Sequence, residues 1–158
     1  MRVLFVCLGN ICRSPTAEGV LRHRLEAHGL AARVEVDSCG IASWHEGKAP
    51  DRRTCEAAAR RGIDLSALRA RQLRETDFHA FDYLLAMDHD NLRAMREQAP
   101  AGLDVHMGLF LEFAGLPDGA VPDPYYGGEE GFEEVLDLVE RAADGLLEEI
   151  AGRLEAAR

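Results

Sequence analysis

The sequence predicts an α/β fold, a doubly wound parallel sheet with helices on both faces, from three observations. Short apolar runs alternate with amphipathic stretches along the chain, the first run is apolar at every position, and the last segment carries a clear helical period. With 158 residues, 47% of them hydrophobic, the chain has the size of one domain with one core, spanning residues 1–158.

Val3 to Val6 form the continuous run expected of a central strand covered on both faces. Ser14-Pro15 follows, a hydroxyl N-cap candidate with proline at the first helical position. Ala17, Val20, Leu21 and Leu25 then mark one face of a helix that ends near Gly29. Val34 to Ser38 reads as the second strand, and 51–61, closed by Gly62, as the second helix. Phe81 to Met87 is the third strand, Asp88 to Gln98 the next helix, stopped by Pro100, and Leu103 to Met107 a shorter fourth strand. A loop containing Gly115, Pro117, Gly119, Pro122 and Pro124 is too long for a mere connection, which suggests function. Phe132, Val135, Leu136, Val139, Ala143, Leu146, Leu147, Ile150 and Leu154 define the final helix, whose acidic residues read as a solvated face.

Composition excludes several classes. The first apolar run is too short for a signal peptide or a membrane span, so no membrane association is expected. The net charge of −10 argues against nucleic acid as a partner. Residues 1–100 carry 15 basic against 14 acidic side chains and residues 101–158 carry 3 against 14, so the N-terminal part can still hold an anion. Four irregularly spaced cysteines point to a reducing compartment, the cytoplasm, where a thiol can be catalytic; Cys39 and Cys55 read as structural. The six histidines show no ligand spacing, and no metal or other cofactor is expected.

Ligands of such sheets bind where a strand's carboxyl end turns into a helix, and Cys7-Leu8-Gly9-Asn10-Ile11-Cys12-Arg13-Ser14 occupies that place. A helix N-terminus offers unpaired amides and partial positive charge, which bind an anion and favour a thiolate at Cys7. Gly9 and Asn10 are residue types that tolerate the left-handed backbone needed to turn amides inward. Arg13 can take two phosphoryl oxygens at once, and Ser14 can donate to the thiolate. The Cys-x5-Arg spacing alone says little, because Cys55 and Arg61 repeat it within an alanine-rich helix that cannot wrap an anion.

Cys7 to Pro15, taken with Asp123-Pro124-Tyr125-Tyr126, resembles the low-molecular-weight protein tyrosine phosphatases. The resemblance spans the chain: Asp37-Ser38, Trp44, Ala70-Arg71-Gln72, Phe81-Asp82-Tyr83 and Met87-Asp88 with Asn91 fall where that family has similar residues. It implies a flavodoxin-like, three-layer fold with four strands in the order 2-1-3-4. It implies that Cys7 attacks phosphorus to form a phosphocysteine, that Arg13 binds phosphate, and that Asp123 is general acid and then base. Leu8, Gly9, Asn10, Ile11, Cys12 and Ser14 would bind substrate together with Trp44, Tyr125 and Tyr126, which line the mouth. Ser38 and Asp88 would support the loop, and Cys12 would be a redox partner that forms a disulfide with Cys7. Phosphotyrosine proteins or small aryl phosphates would be partners and inorganic phosphate the product, for a monomeric enzyme.

Ile11 and the paired tyrosines resemble the tyrosine-specific members, whereas phosphoarginine phosphatases of the same fold tend to have threonine in the loop. Leu68 stands where the family often has a histidine that helps hold the loop asparagine, so Asn10 needs another support. Three other readings are an arsenate reductase, which would need further cysteines to relay a disulfide, a flavin-binding module, and a non-catalytic phosphopeptide-binding domain.

Overall fold

The computed structural model describes residues 1–125 and 127–157. Four parallel strands, β1 (Arg2–Cys7), β2 (Glu35–Gly40), β3 (Tyr83–Ala86) and β4 (His106–Leu109), form one sheet in the order β2-β1-β3-β4. The helices α1 (Arg13–Ala27), α2 (Arg52–Ala59) and α5 (Glu129–Ala156) cover one face. On the other lie α3 (Asp77–Ala80) and α4 (His89–Gln98). This is the architecture the resemblance implies.

The apolar run in β1 has a direct cause. Successive strand side chains point to opposite faces, so Val3, Phe5 and Cys7 enter the cluster under α1 and α5 while Leu4 and Val6 enter the one under α4. β3 divides the same way, Tyr83 and Leu85 to one side, Leu84 and Ala86 to the other. Every side chain from Val3 to Cys7 and from Tyr83 to Ala86 is therefore buried, and alternation disappears from the sequence.

Four details differ from the sequence expectation. First, α1 starts at Arg13 and Ser14 does not cap it; the Ser14 hydroxyl lies 3.0 Å from Cys7 Sγ instead. Pro15 is still accommodated, because first-turn amides have no acceptor within the helix. Second, β4 begins three residues later than expected, where His106 N–H donates to the Asp82 carbonyl at 2.9 Å. Leu103 and Val105 are apolar because they pack, half-buried, on the α4-side cluster without pairing. Third, α3 and a 3-10 turn at Phe110–Ala114 are too short to show a period. Fourth, the acidic face of α5 is partly engaged: Arg61 holds Glu133 and Glu140 at 2.9 Å, and Arg24 holds Asp144 at 2.8 Å. Among the described residues no helix is long and apolar enough to cross a membrane.

Gly145 lets α5 press on the 3-10 turn, since a Cβ there would lie 1.9 Å from the Phe113 carbonyl oxygen. At Gly152, in the same helix, a Cβ would meet nothing within 4 Å. Gly145→Ala is therefore expected to lower stability by about 1–3 kcal/mol through overpacking. Gly152→Ala should raise it by up to about 1 kcal/mol through helix propensity. Urea midpoints of the two variants check this, and shifts of the same sign would contradict it.

Candidate active site

β1 delivers Cys7 to the carboxyl edge of the sheet, and α1 begins six residues later, so residues 7–13 form a loop around the helix N-terminus. The loop's carbonyls are drawn outward. Those of Cys7 and Leu8 accept from Ile41 and Ala42 N–H at 2.9 Å, and that of Ile11 accepts from Asp51 N–H at 2.8 Å. Across a planar trans peptide the N–H opposes the carbonyl, so the amides of Gly9 and Cys12 face the other way, toward the loop's interior. Gly40, at the end of β2, permits this approach: a Cβ there would lie 2.8 Å from the Leu8 carbonyl oxygen.

Asn10 has φ 57, the one left-handed non-glycine among the described residues. Gly9 is not left-handed; its missing side chain leaves room for His45, whose Cδ2 would be 3.0 Å from a Cβ. Asn10 is 3% exposed, and both ends of its side-chain amide are used. Its Nδ2 donates to Ser14 Oγ at 2.7 Å and to Ser38 Oγ at 3.0 Å, and its Oδ1 accepts from Arg71 N–H at 3.0 Å. The Arg71 amide is thus a support that does not need the histidine absent at Leu68. Leu68 itself packs half-buried on the core.

The network has a direction. Ser14 Oγ accepts from Asn10, which leaves its proton for Cys7 Sγ at 3.0 Å, the Cys39 carbonyl at 3.4 Å being a poorer acceptor. Asn10 N–H also points at Cys7 Sγ, at 3.3 Å. Ser38 Oγ accepts from Asn10 and donates to Glu18 Oε1 at 2.7 Å. Burial pushes the Glu18 carboxyl up, while the Ser38 hydroxyl and the Arg22 guanidinium, 2.6 Å away, restrain the shift. All donors therefore run toward the sulfur at one end and the carboxylate at the other.

Arg13 is 4% exposed and donates from Nη1 to Asp88 Oδ2 at 2.7 Å and to the Val121 carbonyl at 3.1 Å. Burial disfavours its cation, but the Cys7 sulfur, Asp88 and Asp123 outweigh burial and hold its pKa above the ordinary arginine value. Asp88 also caps α4 by accepting from Asn91 N–H at 2.7 Å, which locks the carboxylate that orients Arg13. Asp123 lies 3.8 Å from Arg13 Nη2, and its Oδ1 accepts from Tyr125 N–H at 3.0 Å.

These groups meet at a cavity of about 170 Å³. Cys7, Leu8, Gly9, Ile11, Cys12 and Arg13 line its floor and wall, and Trp44, His45, Asp123 and Tyr125 complete it. Leu8, Trp44 and Tyr125, all large exposed apolar side chains, ring this opening. Asn10, Ser14, Ser38 and Asp88 stand behind the wall and hold it. Tyr126, expected at the mouth, lies outside the described residues. A second hollow of about 530 Å³ beside Arg22, Glu35 and Phe81 has no cysteine, serine, threonine or histidine in its lining.

Sequence reasoning missed Glu18, the Arg71 amide, His45 and Arg53. For Glu18 a signal existed: it occupies the buried stripe of α1 that includes Ser14, Leu21 and Leu25, where a charge is out of place. For a backbone amide sixty-one residues from Asn10 there was none.

The family model described as "Low molecular weight phosphotyrosine protein phosphatase" matches residues 2–156. A fission yeast (Schizosaccharomyces pombe) protein of that description is 45% identical over 153 residues, covering 96% of this chain and 97% of the relative. A crystal structure of a protein tyrosine phosphatase from Entamoeba histolytica superposes with a TM-score of 0.91 at 38% identity, covering 96% of this chain and 97% of that one. A Drosophila arginine phosphatase structure matches with a TM-score of 0.89 at 31% identity, over 95% and 98% of the two chains. Cys7 and Arg13 fit the Cys-x5-Arg loop of this group, and the chain belongs to the low-molecular-weight phosphotyrosine protein phosphatase family.

Proposed function

We propose that the chain, as a single domain over residues 1–158, hydrolyses phosphotyrosine and aryl phosphate monoesters through a phosphocysteine on Cys7. The observation that carries this reading is the placement of Cys7 Sγ, Arg13 and Asp123 on one cavity, at the N-terminus of α1. The phosphoryl group sits among the inward amides and Arg13, which stabilise the charge spread over its equatorial oxygens. The Cys7 thiolate, held by Ser14 O–H and Asn10 N–H, attacks phosphorus, and the bond to the phenol oxygen breaks. Asp123 gives its proton to that oxygen. Water then attacks the phosphocysteine, Asp123 takes its proton, the thiolate leaves, and inorganic phosphate departs.

Leu8, Ile11, Trp44 and Tyr125 make the entrance an apolar slot, which suits a phenyl ring better than a guanidinium. Cys39 is fully buried in the α4-side cluster, and Cys55 sits on α2 with its sulfur toward the Pro50 carbonyl, which disfavours a disulfide relay to arsenate. The likeness to an arginine phosphatase makes phosphoarginine the second substrate to test. A cytoplasmic monomer that acts on phosphotyrosine proteins, without nucleic acid or membrane, completes the proposal.

Cys12 is the redox partner of Cys7 in this reading. Burial, reinforced by Asp51, Cys7 and Asp123 and only partly offset by the Thr54 hydroxyl, pushes its thiol up to about 12. Cys12 stays protonated at neutral pH, so peroxide oxidises Cys7 first, to a sulfenic acid, and Cys12 sulfur then displaces water to close the disulfide.

In phosphate-release assays, Cys7→Ser is expected to abolish aryl phosphate hydrolysis. Asp123→Asn should slow it by about 10²- to 10⁴-fold. A Cys7→Ser variant that retains turnover would overturn the mechanism, and preference for phosphoarginine would change the substrate alone. Burial and the Asp51 and Asp123 carboxylates still hold the Cys12 thiol up in Cys7→Ser. Alkylation of Cys12 in that variant, read by peptide mass spectrometry, should therefore stay slow at neutral pH and rise only in strongly alkaline solution. Mass spectrometry of peroxide-treated wild type should find the Cys7–Cys12 linkage, and its absence would sink the redox role.

A further inference from the structure

The acid-bearing segment is tied down on its upstream side by Val121, whose N–H donates to the Met87 carbonyl at 2.7 Å and whose carbonyl accepts from Arg13. Asp123 itself has 43% of its side chain in solvent, and past the buried Pro124 the described residues Tyr125, Gly127 and Gly128 are exposed. Arg53, the second residue of α2, reaches the carbonyls just past the acid. Its Nη2 donates to the Tyr125 carbonyl at 2.8 Å and its Nη1 to the Gly127 carbonyl at 3.4 Å. The guanidinium also lies 5.6 Å from the Tyr125 ring centroid and 4.8 Å from that of Phe132.

Arg53 is itself held. Asp51 caps α2 by accepting from Arg53 N–H at 2.8 Å, and its two carboxylate oxygens accept from Arg53 Nε and Nη2, each at 3.2 Å. Asp51 N–H in turn donates to the Ile11 carbonyl in the nucleophile loop at 2.8 Å. One continuous path, Ile11–Asp51–Arg53–Tyr125, thus joins the loop that holds the phosphoryl group to the segment that carries the acid. The planar fork of arginine lets one side chain face a carboxylate and two carbonyls together, which a lysine ammonium cannot reproduce.

We propose that Arg53 is a positioning residue for protonation of the leaving group: it fixes the distance between Asp123 and the phosphoryl oxygen without touching either. The inference rests on the assignment of Asp123 as general acid. Proton donation matters most when the departing phenol is weakly acidic, so loss of positioning has a signature that loss of stability lacks.

The test compares kcat/KM for phenyl phosphate and p-nitrophenyl phosphate in wild type, Arg53→Ala, Arg53→Lys and Asp123→Asn, with melting temperatures of all four. Arg53→Ala is expected to lose roughly 10- to 100-fold on phenyl phosphate, part of what loss of general acid catalysis costs, and several-fold less on the nitrophenyl ester. Arg53→Lys should fall between wild type and Arg53→Ala. Equal losses on both esters, or none, would overturn the proposal whatever the melting temperatures. If Asp123→Asn itself shows no dependence on the leaving group, the acid assignment fails first, and the two failures are distinguishable.

Discussion

A single asparagine holds the anion-binding loop in a conformation that its own backbone disfavours. Asn10 sits at φ 57, a left-handed geometry that costs an L-residue about 1 kcal/mol. Three side-chain hydrogen bonds, each worth about 1 kcal/mol net, hold it there from α1, β2 and the segment after α2. That one residue therefore ties three parts of the fold to the direction of the loop's amides. The same bonds fill the Ser14 lone pair and aim its proton at Cys7, so loop shape and nucleophile stabilisation have a common origin. Glu18, buried at the far end of the network, is tolerated because Ser38 and Arg22 compensate its charge.

An acidic protein can bind a phosphate dianion because its charges are segregated. No residue of α5, where the acidic excess is concentrated, lines the cavity. Several of its carboxylates are instead matched to Arg24, Arg60 and Arg61 on α1 and just beyond α2. At the cavity Arg13 is buried between two carboxylates of different freedom. Asp88 is locked by its capping bond and orients the guanidinium, whereas Asp123 is half-exposed and only loosely paired at 3.8 Å. A fixed partner and a movable one are what a clamp and an acid respectively require.

The nucleophile and the acid lie on segments more than a hundred residues apart, and two arginines span the gap. Arg13 reaches from the phosphate loop to the Val121 carbonyl, and Arg53 reaches from α2 to the carbonyls of Tyr125 and Gly127. Both donate to main-chain oxygens, so they constrain the path of the acid segment whatever side chains it bears. Reactivity across such a site depends on fractions of an ångström, which makes the bracing as consequential as the reacting groups.

By itself the sequence determined what depends on neighbours along the chain: the buried strands, the amphipathic helices, and the Cys7–Arg13 loop, because strand, turn residues and helix start are contiguous there. Asp123 was legible from its resemblance to a family motif, and not from any local rule, since an Asp-Pro step is an ordinary turn. Tertiary structure alone decided that Ser14 serves the nucleophile in place of the helix cap, that β4 starts at His106, and that the Arg71 amide supports Asn10 despite Leu68. It also decided that Asp88 meets Arg13 across seventy-five positions and that Arg53 meets the acid segment. Periodicity and capping act within a few residues, whereas these contacts follow from the register of parallel strands and the docking of helices, which no short window of sequence encodes.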